Sequence, residues 1–356
     1  MLKKIVRASL ITVITTLFIC LFGQVRVFAE SGFSYKVEFP DNQMEKEIGY
    51  YHLKMKPGQE QTLLIRMANS SDKKTKVNVS LNSAKTNSNG VIEYGENAIK
   101  EDKSLKFSFK DIAKAPNKVE LAAGQQKNFE IKLKMPETSY PGVIVGGIQM
   151  IEENQGEEEK AEGAMVINEY AHAIAVLLQE EDIVVKPELK LNSIKAGQAN
   201  LKNTIFVNYS NVEAAFLNDM TTEVQISKKG NETVLYEKKQ SKMRMAPNTQ
   251  ITFPVDMNGE AMVAGDYTAK ILVTGADGLR YEWTKDFKIT TEEADKYNER
   301  DVGLVQKTGF DWKLIVMIIL GAFVLIGIIF TIIYFVRKNN DKKSKSKKKG
   351  KNSKKK

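Results

Sequence analysis

The chain is predicted to be all-β: two tandem β-sandwich domains followed by one α-helix that crosses a membrane. Three observations predict this. Residues 33–290 alternate apolar and polar side chains in short runs, with turn signals about every ten residues. No amphipathic helix longer than about three turns interrupts those runs, which disfavours a βαβ architecture. Residues 314–336, LIVMIILGAFVLIGIIFTIIYFV, contain no charge, so the segment has no face suited to water.

The N-terminus reads as a signal peptide over residues 1–29. Lys3, Lys4 and Arg7 precede an apolar run, and Val27-Phe28-Ala29 fits a cleavage site before Glu30. Arg26 inside the cleavage region keeps an uncleaved anchor open as the other reading. Cys20 follows Phe18-Ile19, where lipid attachment needs a small residue, so lipidation is disfavoured. Cleavage after Ala29 removes the only cysteine, and with it disulfides and thiol chemistry.

From Phe33 the alternation begins with FSYKVEF and continues through TLLIRMAN, KVNVSLNS and FEIKLKM. The runs GVIVGGIQMIEE and EYAHAIAVLLQEE read as the last hairpin of the first domain, residues 30–182, joined by an acidic loop at 153–163. A boundary inside that loop is the alternative. The second domain, 183–290, contains TIFVNYS, TEVQIS, ITFPVDM and YTAKILVTG. One pattern recurs in LKMKPGQEQTLLIRMANSS, VELAAGQQKNFEIKLKMP and MRMAPNTQITFPVDMNG: a strand, a tight turn, a polar residue and a second alternating strand. It reads as the same sandwich edge built more than once, hence two related immunoglobulin-like domains. Each is large enough to bury a core without disulfides.

Residues 291–313 read as a short helix and a stalk, with Thr290 and Glu293 spaced as a capping box. The 314–336 run is long enough for the roughly 30 Å hydrocarbon core of a bilayer. Trp312 and Tyr334 stand near its ends as interfacial anchors, and the Lys-rich tail 337–356 marks the cytoplasmic side. The protein is thus expected in the cell membrane as a single-pass chain with its ectodomain outside. No GxxxG pattern argues for dimerisation of the span.

The net charge of +9 is uneven. The tail after Val336 holds twelve Lys/Arg and one Asp, the segment before Glu30 four cations, and residues 30–336 are net −6. The basic pI therefore gives no case for nucleic acid as a partner. No catalytic, cofactor or metal residues are nominated. His52 and His172 stand in strand-like runs as packed or edge residues, and the acids of the 153–163 loop lack the spacing of a calcium loop. Gly146-Gly147, inside an apolar strand, mark either a tight sheet contact or a place where a partner strand lies against the sheet. Tyr281, Trp283 and Phe287 share a strand face and read as core.

Taken in order, GYYHLKMKPGQEQTLLIRMANSS, LAAGQQKNFEIKLKMP with YPGVIVGGI, INEYAHAIAVLLQE with VVKPELKL, MRMAPNTQITFPVD, AGDYTAKILV and FKITTEEADKYN resemble the WxL-interacting proteins of Gram-positive cell surfaces. The resemblance implies a peptidoglycan-binding first domain and a second domain that binds WxL-domain surface proteins or host extracellular proteins. It implies a non-enzymatic adaptor that holds secreted WxL proteins at the cell wall. The alternative from another class is an extracytoplasmic chaperone that caps exported strands. That reading needs a basic cleft between the domains, for which Lys186 and Lys190 are the only hints.

Overall fold

The computed structural model describes residues 32–155, 169–304 and 316–334. The segment read as a signal peptide (with Cys20), most of the acidic loop, Trp312 and the Lys tail lie outside the described residues. Two bodies are present: a compact unit that ends at Asp301, and the C-terminal segment with the apolar helix.

The first sandwich is built from β1 (Phe33–Glu38), β2 (Tyr51–Lys54), β3 (Glu60–Asn69), β4 (Thr75–Ser83), β5 (Lys85–Thr86), β6 (Ile92–Glu93), the short α1 (Phe109–Ile112), β7 (Ala113–Lys114), β8 (Lys118–Leu121), β9 (Gln126–Lys134), β10 (Val143–Glu152) and β11 (Ala171–Gln179). One sheet runs β1-β3-β9-β7 and the other β2-β11-β10-β4-β8. Alternation does what it promises: Leu63, Ile65 and Met67 of β3 and Phe129, Ile131 and Leu133 of β9 all point into the core. Each such burial contributes roughly 1.5–3 kcal/mol. One pairing departs from the expected antiparallel pattern. β2 runs parallel to β11, from Val176↔Tyr51 to Gln179↔Lys54. No hairpin joins these two strands, so no turn dictates their relative direction.

The second sandwich is built from β12 (Leu189–Ala199), β13 (Lys202–Asn211), β14 (Leu217–Lys228), β15 (Val234–Met245), β16 (Thr249–Asp256), β17 (Gly265–Thr274) and β18 (Arg280–Ile289). Its sheets run β12-β13-β16 and β15-β14-β17-β18. Tyr209, Phe253 and Tyr267 fill the centre. Burial raises the Tyr209 phenol well above its usual range, so it stays protonated and shares a hydrogen bond with Thr222 Oγ1 at 2.7 Å.

The recurring turn pattern is not a hairpin. In each copy the chain leaves one sheet and enters the other: β2 to β3, β8 to β9, and β15 to β16. Gly58, Gly124 and Asn248 supply the left-handed residue at φ 69°, 66° and 51°. A Gln side chain closes the first two arches. Gln59 Oε1 accepts from the Lys56 N–H at 2.9 Å, and Gln125 Oε1 from the Ala122 N–H at 2.8 Å. The third arch has Thr249 in the Gln position.

α2 (Thr291–Arg300) starts with the expected capping box: Thr290 Oγ1 accepts from the Glu293 N–H at 3.1 Å, and Glu293 accepts from the Thr290 N–H at 3.0 Å. Thr290→Ala is expected to lower the stability of the second sandwich by about 1 kcal/mol in urea unfolding. Behind the helix, Asn298 Oδ1 accepts from the Met262 N–H at 2.7 Å, and the buried Asp301 accepts from the Asn203 N–H at 2.6 Å. These bonds fasten the segment after β18 to the second sandwich. The second body contains α3 (Val316–Tyr334), 19 residues of apolar helix and about 28 Å long at 1.5 Å per residue, a candidate membrane span. Tyr334 is its last described residue.

Candidate binding surfaces

Gly146 and Gly147 lie on β10, which is hydrogen-bonded on both edges, to β11 and to β4. No edge is left there for a partner strand. The glycines instead admit the chain itself. A Cβ on Gly146 would stand 2.0 Å from the Phe109 ring, and one on Gly147 would stand 2.3 Å from the Tyr94 carbonyl oxygen. The 84–112 segment therefore lies against both faces of β10: Phe109 fills the core face at Gly146 and Tyr94 the outer face at Gly147, which is why that strand is buried on both sides.

The same segment reaches the second sandwich. Thr86 bridges to the third arch: its Oγ1 accepts from the Ala246 N–H at 3.0 Å and lies 2.7 Å from Thr249 Oγ1. The arch that has no Gln thus takes its acceptor from the other domain. Asp102 accepts from Ser210 Oγ, and the Val143 N–H donates to Ala214 O at 2.9 Å. An apolar cluster of Ala84, Val145, Leu177 and Ala246 lies between the sandwiches, flanked by Tyr94 and Phe216. Tyr140 donates to Asn248 Oδ1 at 2.7 Å.

Burial, then the Glu213 charge, pushes the Tyr140 phenol up to about 12. A group whose pKa rises on folding stabilises fully below its unfolded value, about 10, and loses that contribution as pH climbs through 12. Tyr140→Phe is expected to cost about 1 kcal/mol at pH 7 and to flatten the alkaline limb of the stability profile between about pH 10 and 12.

Two grooves open on the second sandwich. One, about 1060 Å³, is lined by the linker 183–188, by Gly142 and Val143, by residues 214–218, and by 276–281. The other, about 660 Å³, is lined by residues 189–194 and by Trp283, Lys285, Asp286 and Phe287. Lys186 lines the first groove; Lys190 is held by Glu188 at 3.5 Å. Tyr281, Trp283 and Phe287 are half-buried rather than sealed in the core.

The histidines take no part in these surfaces. His52 is held between Glu45 at 3.1 Å and Gln179 at 2.9 Å, and His172 packs edge-on to Phe33 and Tyr35. Among the described residues, no group of three His, Cys, Asp or Glu is arranged to hold a metal ion.

Residues 33–152 match the family model of the WxL-interacting-protein peptidoglycan-binding domain, and residues 161–299 match that of the host-binding domain. The chain belongs to the WxL-interacting protein family. The first sandwich of this WxL-interacting protein is thus of the peptidoglycan-binding kind and the second of the host-binding kind. The second match starts inside the acidic loop, whereas β11 pairs within a sheet of the first sandwich. A comparison with curated proteins finds no match. Among solved structures the chain is similar to the E. coli chaperone DraB, with 11% identity over 72% of this chain and 98% of that chain, and a TM-score of 0.27. It is similar to the class 5 fimbriae chaperone CfaA at 13% identity, 72% and 98% coverage, and a TM-score of 0.27. A PapD-like domain of human CEP192 matches at 12% identity, 45% and 94% coverage, and a TM-score of 0.25. Nothing about function is carried over from these.

The sequence reading named Lys186, which lines the first groove, but missed the 84–112 segment as the bridge between the sandwiches. Nothing in a linear pattern says which surface such a segment will cover.

Proposed function

We propose that this protein is a membrane-anchored, non-enzymatic adaptor. The first sandwich grips peptidoglycan, and the second holds a secreted WxL-domain protein or a host extracellular protein against the wall. The observation that carries this reading is the junction: two binding domains share a buried, hydrogen-bonded interface, and an apolar helix follows on the same chain. A ligand pulled on one domain then loads the other directly, and tethering raises the local concentration so that individually weak contacts suffice.

A chaperone that grips a partner's terminal carboxylate is supported less well. Arg280 is paired with Glu282 and Lys190 with Glu188, which among the described residues leaves Lys186 as the unpaired cation lining the junction groove. The test uses the full chain in detergent with purified sacculi. Co-sedimentation without release of muropeptides is expected; a chain that stays in the supernatant overturns the reading. Protease shaving of intact cells is expected to remove both sandwiches and spare the Lys tail, which checks the orientation.

A further inference from the structure

The two grooves on the second sandwich meet end to end. The first is walled by 183–188 and 276–281, the second by 189–194 and 283–287, so the two linings are consecutive along both chain segments. One side of the resulting channel is the linker running on into β12; the other is β18. Both are open edges. Among the described residues β12 pairs only with β13 and β18 only with β17.

The edges differ in one respect that decides which can receive a strand. β12 carries a register shift between Leu191 and Ser193, which breaks its ladder. β18 keeps an unbroken register with β17 from Gly265↔Ile289 to Thr274↔Arg280. Its ten residues offer about 33 Å of regular free edge.

The lining is suited to apolar side chains. Ile183 is 54% and Val184 87% exposed, and among the described residues the backbone of Ile183 to Lys186 makes no hydrogen bond. An extended apolar segment with an unpaired backbone is the material to which strands add. Across the channel, Tyr281 and Trp283 stack at 5.8 Å and Phe287 stacks on Tyr267 at 5.6 Å.

Charge narrows the occupant further. Asp286 is held ionised by its hydrogen bond to Lys229, then by that to Thr268, and its pKa is lowered accordingly. Lys186 and Lys285 form no ion pair among the described residues; Asp277, in the turn before β18, is an unpaired anion. A second copy of this chain would bring the same cationic edge against its own.

We infer that this channel receives one extended strand of a partner protein, with alternating apolar residues and acidic flanks, which adds to β18 as a fifth strand of its sheet. This rests on the adaptor reading and gives its second domain a binding mode. Backbone hydrogen bonds along β18 supply affinity, and apolar side chains over Val184, Leu191 and Trp283 supply register.

The experiment uses the full chain in detergent carrying Trp312→Phe, so that Trp283 is the sole tryptophan, of two in the sequence. The probe is a nonapeptide alternating valine and threonine with a glutamate at each end. A saturable change in Trp283 emission is expected, with amide exchange slowed about tenfold or more across 280–288. Methylating alternate backbone nitrogens of the probe along the pairing edge abolishes both effects. Lys186→Glu with Lys285→Glu weakens the glutamate-flanked probe by about fivefold and favours a lysine-flanked one. A probe that leaves emission and exchange unchanged at millimolar concentration, or that binds equally when methylated, overturns the inference. If a WxL-domain protein is captured with protection outside β18, the adaptor stands and the channel falls. If the probe protects β18 but no surface protein is retained at sacculi, the channel stands and the adaptor falls.

Discussion

Phe109→Ala is expected to lower the unfolding free energy of the first sandwich by about 3–5 kcal/mol, the range for emptying a fully buried aromatic site. The ring lies over Gly146, where the strand has no Cβ, and is fully buried in the core. The decisive control is a double-mutant cycle. Gly146→Ala alone places a methyl 2.0 Å from the Phe109 ring and is expected to cost about 1–3 kcal/mol through overpacking. In the Phe109→Ala background the same methyl fills part of the cavity, so its effect turns neutral or stabilising. A strong favourable coupling in urea titrations confirms the contact; additive losses refute it.

The second large effect belongs to the domain junction. Thr86→Val keeps the volume but leaves the buried Ala246 N–H without its acceptor, an expected loss of about 1–3 kcal/mol. Thr86→Ser keeps the hydroxyl and should retain most of that stability. The two variants separate a hydrogen-bonding role from packing. If the junction joins the domains as described, Thr86→Val also splits a single unfolding transition into two, which calorimetry reads directly. An unsplit transition in Thr86→Val would mean that the apolar cluster holds the domains together without this bridge.

Much of the fold was legible in the chain. A period of two lasting over five to ten residues buries one face of a strand whatever its neighbours, so β3, β9 and β16 follow from their own residues. The capping box at Thr290 and Glu293 is equally local, because both partners lie within one helical turn. The recurring arches were visible as a pattern, but their role was misjudged. A turn residue at positive φ specifies a reversal, and only the sheet on either side decides whether the strands pair or part.

The candidate site was far less legible. Gly146 and Gly147 announced a close approach, yet the approaching atoms come from Tyr94 and Phe109, about forty to fifty residues earlier in the chain. Tyr281, Trp283 and Phe287 read as core because alternation reports a shared face and not whether a further strand lies beside it. Their half-burial is a consequence of β18 being last in its sheet.

What the residues determined unaided is therefore whatever depends on neighbours in sequence: strand periodicity, helix capping, and an apolar helix long enough to cross a bilayer. Only the tertiary structure decided which edges stay open, which glycines are covered, and that Thr86 completes an arch in the other domain. Those outcomes depend on pairings between residues as much as 163 positions apart, and such a pairing leaves no mark on either partner alone.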